Sequence, residues 1–194
     1  MNKAKIIKLF NKIAAIRPGH FLLTSGLHSN TYIQCARILE QPRLLAGLVK
    51  QLASPWRKMK IDVVAGPAVG GIILAYELAR LFKARAIYLE RLDNKLSLRR
   101  GFTVEPKERV LVVEDVITTG GSVKETASVI KETGGQVVGI AALVNRSGTS
   151  RNKLFGLKLK TLVKITPPLY QAADCPLCRA GKIPLVKPGS RGLK

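Results

Sequence analysis

Hydrophobic residues follow two different rhythms along the 194 residues. Ile6, Ile7, Phe10, Ile13 and Ala14 recur at helical spacing with Lys3, Lys5, Lys8 and Lys12 between them, which predicts an amphipathic first helix packed on its own domain. Residues 17–30 break that pattern. Pro18, Gly19, Gly26 and both histidines lie there among Ser and Asn, so the stretch reads as irregular turns. A short strand at 32–36 and a helix at 41–53 follow. From Ile61 the chain alternates short apolar runs with longer helical ones. Strands are predicted at 61–65, 86–89, 109–113, 136–144 and 157–165. Helices follow a glycine-containing turn at 66–71 and the segment 114–122, the second ending at Gly134-Gly135. Buried strands alternating with helices imply a parallel, doubly wound sheet. The expected organisation is a helix and hood segment over 1–60, an α/β core over 61–166 and an irregular, Pro- and Gly-punctuated tail over 167–194 packed on the same domain.

Ligands of such sheets sit beyond the carboxyl ends of the strands. That singles out three turns, at 66–71, 91–101 and 114–122. The most informative stretch is Val110-Leu-Val-Val-Glu-Asp-Val-Ile-Thr-Thr-Gly-Gly-Ser122. Four aliphatics make a buried strand that delivers Glu114 and Asp115 at its carboxyl edge. Two adjacent carboxylates cost repulsion and desolvation unless hydroxyl donors or a divalent cation offset them. Thr118, Thr119, Gly120, Gly121 and Ser122 then open a helix, where glycine backbone, free N–H groups and hydroxyls suit a phosphate. A phosphorylated sugar satisfies both halves at once. The other nucleotide signatures are absent: there is no G-x-x-x-x-G-K-[ST], and residues 66–71 do not fit G-x-G-x-x-G.

Charge narrows the partners. The formal net charge is +21, with +10 on residues 1–60, +2 on 61–146 and +9 on 147–194. Such an excess attracts polyanions, be they nucleic acid, acidic lipid or a multiply phosphorylated small molecule, or else forms a solvated surface. No run of five basic residues occurs and ten aromatics are available for stacking, which argues against a dedicated nucleic-acid module. The longest apolar run, 137–144, is far too short to cross a bilayer. The first residues do not read as a secretory leader, and three cysteines cannot build a disulfide framework, so the expected compartment is the cytoplasm. Cys175-Pro-Leu-Cys178 leaves three readings open: free structural thiols, half of a metal site shared across a dimer, or an oxidised pair. His20 and His28 have no metal-ligand spacing in the sequence and read as turn-stabilising or diphosphate-facing. Cys35, in an apolar strand, reads as buried.

The 110–122 segment resembles the phosphoribosyl-diphosphate (PRPP) motif of type I phosphoribosyltransferases. Gly19-His-Phe-Leu-Leu-Thr-Ser-Gly-Leu-His28, Gly66-Pro-Ala-Val-Gly-Gly-Ile72, Leu98-Arg-Arg-Gly-Phe102, Asn145-Arg-Ser147 and Leu185-Val-Lys-Pro-Gly-Ser-Arg191 narrow the likeness to orotate phosphoribosyltransferases, in order over nearly the whole chain. The resemblance implies that family's fold, a parallel doubly wound sheet with flanking helices and a small N-terminal hood. It also implies the reaction of orotate with PRPP to give orotidine 5′-phosphate and diphosphate, with Mg²⁺, in a homodimer. Carried over by position, Thr118, Thr119, Gly120, Gly121 and Ser122 hold the 5′-phosphate, with Val116 and Ile117 in the same motif. Glu114 and Asp115 take the ribose hydroxyls, and Arg146 with Thr118 takes orotate. The stretch from Arg91 resembles the mobile loop that closes over diphosphate from the neighbouring subunit, with Arg91 and Lys95 as its contacts; Lys95, Glu114 and Asp115 are the expected catalytic group. Mg²⁺ is expected to be held mainly by PRPP. Two departures stand out: Thr24 and Val69-Gly70 occupy places where many members of the family carry lysine. The rival readings are a purine or uracil phosphoribosyltransferase and a nucleic-acid-binding regulator of the same fold.

Overall fold

The computed structural model describes residues 1–148 and 152–188. Helix α1 (Lys3–Lys12) starts where the Asn2 side chain accepts the Lys5 N–H at 2.9 Å, and it buries Ile6 and Phe10, one turn apart. Strands β1 (Ile16–Leu22) and β2 (His28–Ile33) follow, then the short α2 (Ala36–Leu39) and α3 (Pro42–Leu52), whose proline sits at the helix start where no N–H is needed. The core alternates β3 (Val63–Pro67), α4 (Gly70–Phe82), β4 (Arg85–Leu92), β5 (Lys95–Leu98), β6 (Arg109–Ile117), α5 (Gly121–Glu132) and β7 (Gln136–Asn145). The short β8 (Lys153–Leu154), β9 (Leu157–Lys164), β10 (Leu169–Tyr170), α6 (Pro176–Ala180) and β11 (Leu185–Val186) complete it.

Seven strands form the main sheet in the order β5-β4-β3-β6-β7-β9-β8. The five predicted strands are its parallel centre, and β5 and β8 add antiparallel edges. Val110–Val113 of β6 are all fully buried because both faces of this central strand are covered. Leu111 and Val113 belong to one buried cluster with Ile6, Phe10, Leu48, Leu74 and Leu78 from α1, α3 and α4. Val112 packs with Val123 and Ala127 of α5 on the opposite face. Neighbouring strands β3 and β6 thus send their helices to opposite faces, opening a crevice between their carboxyl ends. That crevice positions the site.

Three sequence expectations are corrected. Residues 17–30 are not irregular: β1 and β2 form an antiparallel hairpin with a bulge between Pro18 and Phe21, and the strand expected at 32–36 is displaced to His28–Ile33. The tail is not wholly irregular either. Its β10 pairs with β2 and its β11 runs parallel to β1, giving a four-stranded hood sheet, β10-β2-β1-β11. Two-residue strands carry no periodicity of their own, and their partners lie at the other end of the chain. Third, the polar stretch 91–101 holds an ordered hairpin. Asp93 and Asn94, both left-handed (φ 47° and 63°), make the two-residue turn between β4 and β5 that matches strand twist.

Candidate functional site

Strand β6 runs four residues beyond the aliphatic tetrad, so Glu114, Asp115, Val116 and Ile117 are its last residues and remain paired to β7 through Ile117. Glu114 is 9% exposed. Burial first, and the neighbouring Asp115 second, push its carboxyl up to about 9, so it is a neutral acid at pH 7. Its Oε1 accepts the Asp115 N–H at 3.2 Å, and Asp115 Oδ1 accepts the Val116 N–H at 2.7 Å. The turn after β3 closes on this carboxylate. Gly70, the first residue of α4, lies so near Asp115 that a Cβ there would overlap the carboxylate. Asp115 therefore faces the positive end of α4. Gly70 is the residue, with Val69, that stands where a family lysine was expected, and a side chain at Gly70 has no room.

Beyond Ile117 the chain forms a small concavity of about 40 Å³ lined by Glu114, Val116, Ile117, Thr118, Thr119, Gly120, Gly121, Ser122 and Val123. Gly120 has φ 84° and precedes α5; the Gly121 N–H donates to the Thr119 hydroxyl at 3.4 Å, and Ser122 and Val123 of the same first turn line this cradle. Adjoining it through Val116, Thr118 and Thr119 is an open cavity of about 560 Å³. Asp115 and Arg146 line this cavity from the main sheet. Leu22, Leu23, Thr24, Ser25, Leu27 and Tyr32 line it from the hood, with Leu169, Lys187 and Pro188 from the tail. Arg146 follows β7 and donates its N–H to the Ile117 carbonyl at 2.7 Å. Asn145 Oδ1 accepts both the N–H (2.9 Å) and the hydroxyl (2.7 Å) of Ser147, which fixes the turn that presents Arg146. Among the described residues the Arg146 guanidinium makes no ion pair. Burial draws its pKa below the ordinary arginine range, countered in part by Tyr32, but an arginine so placed stays cationic at neutral pH. The Tyr32 hydroxyl is pushed up by burial and by Asp115, so it is a neutral donor.

The structure therefore gathers Glu114, Asp115, Val116, Ile117, Thr118, Thr119, Gly120, Gly121, Ser122 and Arg146 around two joined pockets. It does not bring Arg91 or Lys95 to them. Arg91 donates to Glu125 of α5 at 2.9 Å and to the Asn94 carbonyl. Arg100 is held by Glu90 at 2.8 and 2.9 Å. Lys95 opens β5 at the exposed tip of the hairpin, beyond the cavity wall of its own chain. Tyr32, Leu27 and Leu169 had no sequence signal as cavity residues, because only the hood sheet brings them there. Gly189, Ser190 and Arg191 of the tail motif lie outside the described residues. Cys35 is buried as expected, donates to the Asp115 carbonyl at 3.7 Å, and has its thiol pushed well up by burial and the acidic pair. It is a packing residue and not a nucleophile. His20 and His28 do not line the cavity; they face each other and the cysteine pair within the hood.

Comparison with known proteins adds to this geometry. The Phosphoribosyl transferase domain family matches residues 35–164. Orotate phosphoribosyltransferase of Caldanaerobacter subterraneus subsp. tengcongensis is 50% identical over 193 residues, covering 100% of both chains. The chain belongs to the orotate phosphoribosyltransferase family. Among solved structures, orotate phosphoribosyltransferase from Aeropyrum pernix superposes with a TM-score of 0.69 at 26% identity, over 82% of this chain and 93% of that one. An adenine phosphoribosyltransferase from Rhodothermus marinus shares the fold at a TM-score of 0.66 and 21% identity, over 84% of this chain and 99% of that one. The fold is thus common to enzymes named for different bases. Within it, family membership rests on the full-length sequence match.

Proposed function

We propose that the chain transfers the ribose 5-phosphate of PRPP to N1 of orotate, giving orotidine 5′-phosphate and diphosphate, a step of pyrimidine synthesis. The observation that carries the reading is the pairing of the two pockets. An anion cradle at the α5 N-terminus adjoins, through Thr118 and Thr119, a cavity whose main-sheet wall holds Asp115 and Arg146. The cradle suits the 5′-phosphate. A ribose placed next to it meets Glu114 and Asp115, one neutral acid and one acceptor, a pair able to hold both members of a sugar diol. Arg146 offers paired donors to the carboxylate or a carbonyl of orotate, a base that a cationic wall favours over a neutral purine.

In the reaction the C1′–O bond to diphosphate breaks as the C1′–N1 bond forms, and positive charge develops on the ribose ring. The side chains of this site position the reactants and stabilise that charge, Asp115 from the cavity wall, and none is required as a nucleophile. The oxygen donors of the site (the Asp115 carboxylate and the Thr118 and Thr119 hydroxyls) fit Mg²⁺ carried in by PRPP, a hard cation that keeps few protein ligands. When bound, Mg²⁺ supplies charge neutralisation on the departing diphosphate. We further propose a cytoplasmic homodimer in which the β4–β5 hairpin serves the neighbouring subunit's site through Lys95. Its support is that this exposed lysine is not among the residues lining its own cavity; cysteines outside disulfides suit the compartment.

Diphosphate release with PRPP and Mg²⁺ across a panel of bases tests the reading. Orotate is expected to support turnover, and adenine, hypoxanthine and uracil to fall short of it. Faster turnover with a purine, or salt-sensitive RNA binding in place of any turnover, overturns it.

A further inference from the structure

His20 of β1, His28 of β2, and Cys175 and Cys178 flanking the start of α6 meet in the hood, although more than 140 residues separate the histidines from the cysteines. Their ligand atoms all lie within 4.8 Å of one another. His20 Nε2 is 3.0 Å from His28 Nδ1, 3.5 Å from Cys175 Sγ and 3.6 Å from Cys178 Sγ; Cys178 Sγ is 3.3 Å from His28 Nδ1. Three of the four side chains are buried.

Proton accounting shows that hydrogen bonds alone do not explain this cluster. His20 Nδ1 lies 3.2 Å from the Ile183 carbonyl, which can only accept, so the Nδ1 carries the proton. Nε2 has a single in-plane bonding position, lone pair or N–H. Three atoms converge on it, and one hydrogen bond there serves only one of them. A cation at the centre satisfies all four groups together. The four short edges are close to those of a metal tetrahedron: for Zn–N near 2.0–2.1 Å and Zn–S near 2.3 Å, N–N edges are about 3.3 Å and N–S edges about 3.5 Å. Two imidazole nitrogens and two thiolates form a borderline-soft donor set, suited to zinc and foreign to magnesium. The Ile183 carbonyl plays the orienting part that metal-bound histidines ordinarily need.

We propose that His20, His28, Cys175 and Cys178 form a structural zinc site that locks the tail onto the hood. The absence of metal-ligand spacing between the histidines is an effect of the hairpin, which carries them to one place from positions eight residues apart. The cysteine pair is completed within its own chain, with no partner subunit required. With four protein ligands the site is closed, and none of the four lines the substrate cavity. Its effect is on architecture. Leu169 lies ahead of the cysteine pair and Lys187 and Pro188 lie behind it, and all three are cavity wall. The site is independent of the proposed Mg²⁺ and of the base the enzyme uses.

The test is metal analysis of untagged, full-length protein purified without added zinc or chelator. About one zinc per chain is expected, released by two equivalents of an organomercurial thiol reagent. Replacing it with Co²⁺ should give intense tetrahedral d–d bands and a thiolate charge-transfer band. Cys175→Ser and Cys178→Ser should each lower retained zinc at least tenfold, and each should lower the melting temperature. Metal-free protein with two titratable thiols, or a Cys175–Cys178 disulfide by mass, overturns the proposal. So does full zinc retention in either variant, or an octahedral cobalt spectrum. The wild-type cobalt spectrum decides the matter even if the variants do not fold. Failure of the orotate assay leaves these readings unaffected.

Discussion

Glu114 shows how a single side chain can charge the fold for the sake of a site. Its carboxyl titrates at about 9 in the folded protein, through burial and then Asp115, against 4.5 as an ordinary glutamate. Between those values the folded chain holds a proton that the unfolded chain has lost, so stability falls as pH rises across the window. Glu114→Gln keeps the neutral shape and removes the titration. The variant is expected to match the parent near pH 4 and to exceed it at pH 8 by on the order of a few kcal/mol. Urea denaturation from pH 4 to 9 measures this, and parallel profiles for the two proteins would contradict it. The acidic pair itself was legible in the sequence because an aliphatic tetrad followed by two acids is a local signal. The neutrality of Glu114 was not, since it depends on how completely the neighbouring elements close over it.

At the scale of elements, what could be read was what repeats locally. All five parallel strands have their own apolar runs, and the turn that opens α5 is set by consecutive threonines and glycines. The hood was illegible because β1 pairs with β11 and β2 with β10, partners that no local window contains. The β4–β5 hairpin was missed for another reason: its Asp93-Asn94 turn was masked by surrounding charge, although Leu89, Leu96 and Leu98 alternate as strands do. Close approach between elements is also invisible in sequence. Gly139 in β7 lies directly against the indole of Trp56, which is fully buried and donates Nε1–H to the Val138 carbonyl at 3.3 Å. A Cβ at Gly139 would fall less than 3 Å from that ring. Gly139→Ala is therefore expected to cost about 1–3 kcal/mol, the range of an overpacked core, and chemical denaturation checks it. An unchanged midpoint would mean that Trp56 can move aside.

For the whole molecule, charge and the proposed subunit arrangement each carry a consequence. The strongly basic segments are the two ends of the sequence, and both ends supply strands to the hood. Of that positive charge Lys187 lines the cavity together with Arg146, where it favours capture of a polyanionic substrate. A hairpin acting in trans predicts complementation. Lys95→Ala and Asp115→Asn proteins, each nearly inactive alone, should regain roughly a quarter of wild-type activity after subunit exchange, since about half of the dimers are mixed and each holds one intact site. A mixture that stays inactive despite confirmed exchange excludes the trans arrangement.

The parallel pairing of β1 with β11 also bears on how the protein is made. The first strand to leave the ribosome has as its neighbour one of the last, so the sheet edge formed by β1 stays open throughout synthesis of the α/β core. The core's own pairings are all available before residue 165 and can form during translation. The cavity wall supplied by Leu169, Lys187 and Pro188 cannot. The anion cradle is thus in place before the cavity beside it is complete, and the full wall closes only when the tail folds back on the oldest part of the molecule.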